Sequence, residues 1–365
     1  MTGKKLDRQA AFSGTKPIPD HLLLNVPRLT NWLTQNVEGF SGKISVTQFK
    51  GGQSNPTYLI EANDKSYVLR RKPPGNLLPA AHAVDREFRV QQALWREGFP
   101  IAKPFAYCAD MAVVGTPFYV MEHIQGRIFW EPHIPDVARP DRIAIFDAMN
   151  KTIAQLHLFD PANLGISDFG RPENYLARQV KRWSGAYRAS ETRDIADMER
   201  LMAWLPENLP ESNRTSIVHG DFRLDNLIIA PNSPDILAVL DWELSTLGDP
   251  IADFVYHLMT WLMPRSELGS GTGSLLGLSL AELGIPKLES YAEAYAARTG
   301  LKELPNLDVY LAYNFFRLAA ILQGIAGRLR DGTATNDNAA MMGTQVEPLA
   351  RVAWSHAQKA KNLWR

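Results

Sequence analysis

The segment HGDFRLDN, residues 219–226, and the LDWE that follows at 240–243 constrain this 365-residue chain more than any other feature. Ile217 and Val218 lead into the first segment and Leu227–Ala230 lead out of it, so Asp221 and Asn226 share one loop between short apolar strands. PNSPD at 231–235 is turn chemistry, because proline fixes φ while Asn, Ser and Asp bond their own backbone. Ala238–Asp241 then reads as the returning strand. An acidic group after Ala-Val-Leu is costly unless paired or bound to metal. Magnesium takes one or two protein oxygens and completes its shell with phosphate and water, which suits Asn226 with Asp241. Asp221 is placed to accept or align a hydroxyl proton. Taken singly, Asp221 and Asn226 are ordinary turn residues; together with Asp241 they predict a phosphoryl-transfer site. His219 is expected to shape the loop by bonding backbone. Asp249 is expected to cap the helix that Pro250 begins.

A chain of this length is too long for one typical core, so two lobes are expected. Residues 1–20 read as a loose tail, 21–121 as a strand-rich N-lobe and 127–365 as a mainly helical C-lobe, with a crossover at 122–126. Lys plus Arg equals Asp plus Glu, 39 against 39, which leaves no global basic field for nucleic acid or anionic lipid. The single cysteine, Cys108, excludes an internal disulfide and suits a reducing compartment. No secretory leader is legible at the N-terminus, and Arg317, Gln323 and Arg328 break the apolar run near Leu318. A cytoplasmic protein without a membrane partner is expected.

In the first lobe, Ile44–Phe49, Thr57–Ala62 and Tyr67–Arg70 read as strands. Gly51, Gly52, Gln53, Ser54 and Asn55 lie between the first two and can cradle phosphate with backbone N–H groups. Val84–Trp95 reads as a helix with Val84, Phe88 and Trp95 inward and its arginines in water. Arg70, Arg71 and Lys72 close the third strand, and Glu87 lies on that helix. Without the second-lobe motif, a solvated basic cluster explains them equally well. Arg223 and Asp225 are open to either solvent or substrate.

HGDFRLDN, LDWELSTLGDPIADF, QFKGGQSNPTY and RQVKRWSGAYRASE together resemble the aminoglycoside phosphotransferase and choline kinase superfamily. More narrowly, they are similar to the kinase-like domain of acyl-CoA dehydrogenase family members ten and eleven and its stand-alone bacterial relatives. The resemblance runs from about Asn36 to Arg330. The kinase-like part takes up the chain's length, so no flavin dehydrogenase domain is expected in it. The resemblance implies a protein-kinase-like bilobal α/β fold with ATP and Mg²⁺ in the cleft. It makes Asp221 the base, Asn226 and Asp241 the metal ligands, and Glu87 the helix carboxylate bracing a strand cation. It also makes Glu122, His123 and Ile124 the hinge that meets adenine, with Met121 behind. The cation aligns with Arg70 where the superfamily has lysine, and Lys72 is the alternative; a guanidinium fork is not a compact ammonium.

The function expected is ATP- and Mg-dependent phosphorylation of a small-molecule hydroxyl, with a hydroxyacyl-CoA or hydroxy acid favoured by the resemblance. An aminoglycoside acceptor calls for an acidic excess that the composition lacks. Arg178, Lys181, Arg182 and Trp183 are candidate contacts for an anionic acceptor, or else a solvated amphipathic helix with Trp183 in the core. A nucleotide-binding pseudokinase is the competing class, supported by Arg70. Gly269–Ser274 is a candidate lid.

Overall fold

The computed structural model describes residues 8–51, 55–75, 82–211, 214–265, 273–332 and 339–362. Its first half builds a six-stranded antiparallel sheet in the order β1-β2-β3-β4-β6-β5. The strands are β1 Thr15–Lys16, β2 Ile44–Phe49, β3 Thr57–Ala62, β4 Lys65–Arg71, β5 Pro104–Cys108 and β6 Phe118–Glu122. Asn63, in the left-handed region at φ 52°, makes the tight β3–β4 turn that its short polar side chain tolerates. Helices α1 Arg8–Phe12, α2 Val26–Asn36, α3 Val84–Arg96 and α4 Met111–Val114 accompany the sheet. Leu29, Leu33, Tyr58, Ile60, Leu69 and Phe118 form part of its core.

Two expectations change here. The stretch 1–20 is not a loose tail over its described part. Arg8 is buried, and β1 adds to the sheet edge through Thr15↔Phe49 and Lys16↔Gln48. The polar segment is held by side-chain and ladder bonds, which apolar patterning does not reveal. On α3 the inward face is Val84, Glu87, Val90, Gln91 and Leu94, an i, i+3, i+4 stripe that admits a carboxylate because it is paired. Trp95 is 39% exposed and lies under the Lys103 ammonium at 5.3 Å.

After Glu122 the chain enters the helical half, where Arg127 exchanges backbone bonds with Ile229. Helices α5 Arg139–Leu158, α6 Tyr175–Ser190, α7 Ala196–Asn208, α8 Pro250–Leu262, α9 Leu280–Leu283, α10 Leu288–Thr299, α11 Leu307–Arg330, α12 Ala339–Thr344 and α13 Val346–Asn362 surround two small two-stranded sheets. These pair β7 Ser216–Val218 with β10 Thr246–Gly248, and β8 Leu227–Ile229 with β9 Ile236–Val239. Helix α11 is long and apolar enough to cross a membrane by length and composition, yet most of its apolar window is buried against the other helices. The large C-terminal core accounts for this. The architecture is the expected α/β kinase-like one: an antiparallel sheet lobe on a helical lobe.

Candidate active site

The loop between β7 and β8 is fixed by its backbone. Gly220 has φ +84°, and a Cβ there would lie 2.9 Å from the Leu244 backbone oxygen, so this turn requires glycine. The backbone N–H groups of His219 and Gly220 both donate to Asp253, at 2.7 Å each. His157 Nε2 reaches the same carboxylate at 3.1 Å. Burial alone would push the Asp253 carboxyl up, but these partners hold it below its usual value. His219 lies between the two halves of the site. Its Nδ1 accepts from the Asp221 N–H at 3.1 Å, which leaves Nε2–H to donate to Leu240 O at 2.8 Å.

The three oxygen-bearing residues converge. Asn226 Nδ2 donates to Asp221 O at 2.9 Å and to Asp221 Oδ2 at 3.1 Å. Leu240 N donates to Asn226 O at 2.8 Å, which brings Asp241 beside them. Asp241 itself sits at φ 64°, ψ 65°, a left-handed geometry that few side chains adopt. Its carboxylate projects from the end of the β8–β9 hairpin, partly exposed in the groove. Among the described residues no three His, Cys, Asp or Glu side chains cluster as a metal site. An amide and a carboxylate oxygen in an open groove are still the hard donor pair that fits magnesium when phosphates supply the rest.

Arg70 crosses from the other lobe. Its Nε donates to Glu87 Oε2 at 2.8 Å and its Nη2 to Asp241 Oδ1 at 2.6 Å. Burial opposes the guanidinium charge, but Asp241 and Glu87 more than offset it and raise its pKa. Glu87 is further bonded by Asn55 Nδ2 at 2.7 Å and Tyr119 OH at 3.1 Å. Arg71 points away, to Val114 O and the Tyr58 ring. Lys72 lies past the strand end, its N–H on Pro117 O. Gly51 borders the phosphate-side loop, whereas Gly52, Gln53 and Ser54 lie outside the described residues, as do Gly269–Thr272 of the candidate lid. Ser274, at that segment's end, donates to Met263 O.

At the crossover, Met121 packs with Val68, Ala102, Ile124 and Phe49 into an apolar wall. His123 Nδ1 is buried with no protein partner among the described residues. Such an atom calls for a ligand or water partner, which fits the polar edge of a purine. The Glu122 side chain stays on the N-lobe, accepting from Lys103 N at 3.4 Å.

On the other side of Asp221, a recess is walled by Trp130, Phe146, Arg223, Asp225, His257 and Trp261. Arg223 Nε lies 3.4 Å from Asp221 Oδ1 and its Nη2 donates to Asp225 at 2.9 Å, so both residues face the site rather than solvent. The other acceptor candidates do not wall this recess. Arg178 is engaged by the carbonyls of Glu173 and Arg171, and Arg182 is exposed over the Trp183 ring. Trp183 packs on the core and donates to Gln179, with Arg317 6.0 Å above its ring.

Several site residues have no place in the sequence reading. Tyr256 OH donates to Asp221 Oδ1 at 2.7 Å; burial and the Asp221 charge push its own pKa up, so it stays a donor. Arg317, buried, donates to Gly220 O at 2.9 Å and lies under the Tyr256 ring. Asp253 and Tyr256 share one face of α8, three residues apart, a pattern GDPIADFVYH carries in plain view. Asp249, at the start of that helix, accepts from Ile251 N and Ala252 N. Arg317 has no local signal, because its partner is 97 residues away.

With this geometry, the comparisons with known proteins are decisive. Residues 45–310 match the model of the phosphotransferase enzyme family. The chain belongs to that family. Mouse acyl-CoA dehydrogenase family member 10 is 44% identical over 87% of this chain, and rat family member 11 is 41% identical over 91%. The chain spans only 30% and 43% of those relatives. A crystal structure from Ralstonia eutropha, provisionally named an aminoglycoside phosphotransferase, superposes with a TM-score of 0.84 at 43% identity, over 92% of this chain and 99% of that one. Spectinomycin phosphotransferase, solved with ADP and spectinomycin, shares the fold at TM-score 0.59 and 12% identity, over 94% of this chain and all of that one. The family and its neighbours support a small-molecule phosphotransferase.

Proposed function

We propose that this phosphotransferase moves the γ-phosphoryl group of ATP to a hydroxyl of a small molecule, with Mg²⁺ held by Asn226 and Asp241. The observation that carries the reading is the Asn226 amide bonded to both the carbonyl and the carboxylate of Asp221, with Asp241 clamped alongside. Asp221, held by Tyr256 and Asn226, orients the acceptor hydroxyl and takes its proton as the oxygen attacks phosphorus. Residues 122–126 act as the hinge between a lobe ending at Met121 and one beginning at Arg127. Met121 and Ile124 flank the base, and His123 Nδ1 reaches its edge. Gly51–Asn55 and Arg70 serve the phosphates. Magnesium, when bound, neutralises charge on the transferred group.

The recess supports an acceptor that is not polycationic. Its walls are mostly apolar, its one acid is already paired to Arg223, and that guanidinium suits a carboxylate or phosphate. A hydroxy acid or hydroxyacyl-CoA meets this description better than an aminoglycoside. A cytoplasmic setting accords with the lone buried thiol of Cys108.

A second reading has its own observation. Arg70 occupies Asp241 Oδ1 at 2.6 Å, where a metal ligand should be free, as in a nucleotide-binding scaffold. Mg-dependent ADP release, screened against hydroxy acids, their CoA esters and aminoglycosides, separates the two. An acceptor should stimulate turnover in the wild type. Asp221→Asn should lose about 10²–10⁴-fold while binding Mg·ATP normally, the scale of general-base removal. ATP binding without stimulated turnover by any acceptor favours the scaffold.

A further inference from the structure

Residues 8–16 precede the family match, which begins at residue 45, and touch both lobes. On the N-lobe, β1 lies along β2, Lys50 N donates to Gly14 O at 3.0 Å, and Lys50 Nζ reaches Ala10 O at 3.3 Å. On the C-lobe, Gln9 Nε2 donates to Ile128 O at 3.0 Å, and its Oε1 accepts from Trp130 N at 3.4 Å. The Phe12 ring lies 4.9 Å from that of Trp130. Between these anchors the segment passes Gly51. A Cβ on Gly51 would stand 3.5 Å from Phe12 O and 3.6 Å from the Trp130 ring.

Arg8 gives this segment a link to the chemistry. It is 8% exposed, and a buried guanidinium persists only with partners. Its Nη1 donates to Trp130 O at 2.5 Å, and its Nη2 lies 3.7 Å from Asp225 Oδ2. That same Oδ2 accepts from Arg223 at 2.9 Å, and Arg223 Nε lies 3.4 Å from Asp221. Asp225 is thus shared between two guanidinium groups. Without Arg8, it can draw Arg223 off Asp221. Trp130 and Asp225 both wall the acceptor recess, whereas the apolar wall at Met121 includes no residue of 8–16.

We infer that residues 8–16 strap the two lobes together beside the acceptor recess, and that Arg8 is a positioning residue acting through Asp225 and Arg223 on Asp221. Only the turnover arm of its test rests on the kinase reading. The test uses the full chain with Arg8→Ala and Arg8→Lys. It measures hydrogen exchange by mass spectrometry, ADP release from Mg·ATP alone, and ADP affinity by calorimetry.

Arg8→Ala should raise exchange severalfold at 128–132 and 222–226 but not in β3 and β4. It should slow ADP release about tenfold, the scale of one charge-assisted hydrogen bond. The KM for ATP and the ADP affinity should stay within about twofold, since less than 0.5 kcal/mol is then lost. Arg8→Lys should recover part of the loss. Unchanged exchange at 222–226 overturns the inference, as does loosening throughout the fold. Equal losses of ADP affinity and turnover overturn it too. If the wild type releases no ADP from Mg·ATP alone, the kinase reading is left to the acceptor screen, and the exchange pattern still decides the strap.

Discussion

The loop that carries Asp221 is held through its backbone, whereas the strand that carries Arg70 reaches the site only through side-chain charges. In the loop, Asp253 binds two consecutive N–H groups and His219 ties Asp221 N to Leu240 O, so the position of Asp221 is set by covalently neighbouring atoms. Across the groove, Arg70, Glu87, Asn55 and Asp241 come from four separate segments and meet at side-chain tips. Backbone anchoring fixes position in whatever state the lobes adopt. A chain of tip contacts fixes it only while the lobes stay closed, so the second half of the site can respond to ligand.

That contrast is broken most directly at Asp253. Asp253→Ala leaves two buried N–H groups and His157 without their acceptor, and should cost about 3–5 kcal/mol of stability. Denaturant unfolding would measure it. A loss below about 1 kcal/mol, the scale of one ordinary hydrogen bond, would mean the loop holds its shape without this anchor.

The contrast also governs what could be read from sequence. HGDFRLDN and LDWE were legible because each motif is contiguous, and the residues that fix it lie within a few positions or on the paired hairpin strand. The two-lobe fold followed from a strand-rich half and a helix-rich half. Arg8 and Arg317 were not identified: each meets its partner across 97 or more residues, and local patterning cannot show such pairs, whereas Tyr256 was missed although its place three residues after Asp253 on one helix face is visible in the sequence. Glu87 was a candidate brace that the resemblance alone favoured, while the helical stripe drawn from apolar residues passed over it and put the 39% exposed Trp95 inward with Phe88, which does pack on the core. A buried carboxylate breaks the rule that inward means apolar, so paired charges are where such patterns fail.

Acid sharpens the comparison, because it strikes the helical side of the recess first. His257 is buried against Tyr291 and its pKa is lowered to about 4 by burial. The unfolded chain therefore binds a proton that the native chain refuses. This contribution is intact above about pH 6.5 and is lost as pH falls toward 4, amounting to roughly 3 kcal/mol over that window. His257→Gln should be less stable at neutral pH yet lose less between pH 6.5 and 4.5. Parallel stability curves for the two proteins would show that His257 already titrates normally in the fold.

The smallest expected effect lies where the two halves meet. Arg70 binds Glu87 through Nε and Asp241 through Nη2, using the breadth of a guanidinium to span two carboxylates. Arg70→Lys supplies one compact ammonium, which can satisfy Glu87 or Asp241 but not both in this geometry. If Arg70–Asp241 is a resting contact that opens for Mg·ATP, the lysine variant should keep Asp241 freer and bind Mg·ADP as well or better. Its stability should fall by about 1–2 kcal/mol through the lost charge-assisted bond. If Arg70 instead must grip the phosphates with the same fork, Mg·ADP affinity should drop about tenfold while magnesium-free ADP binding drops equally. Calorimetry with and without magnesium therefore separates a latch on Asp241 from a direct phosphate clamp.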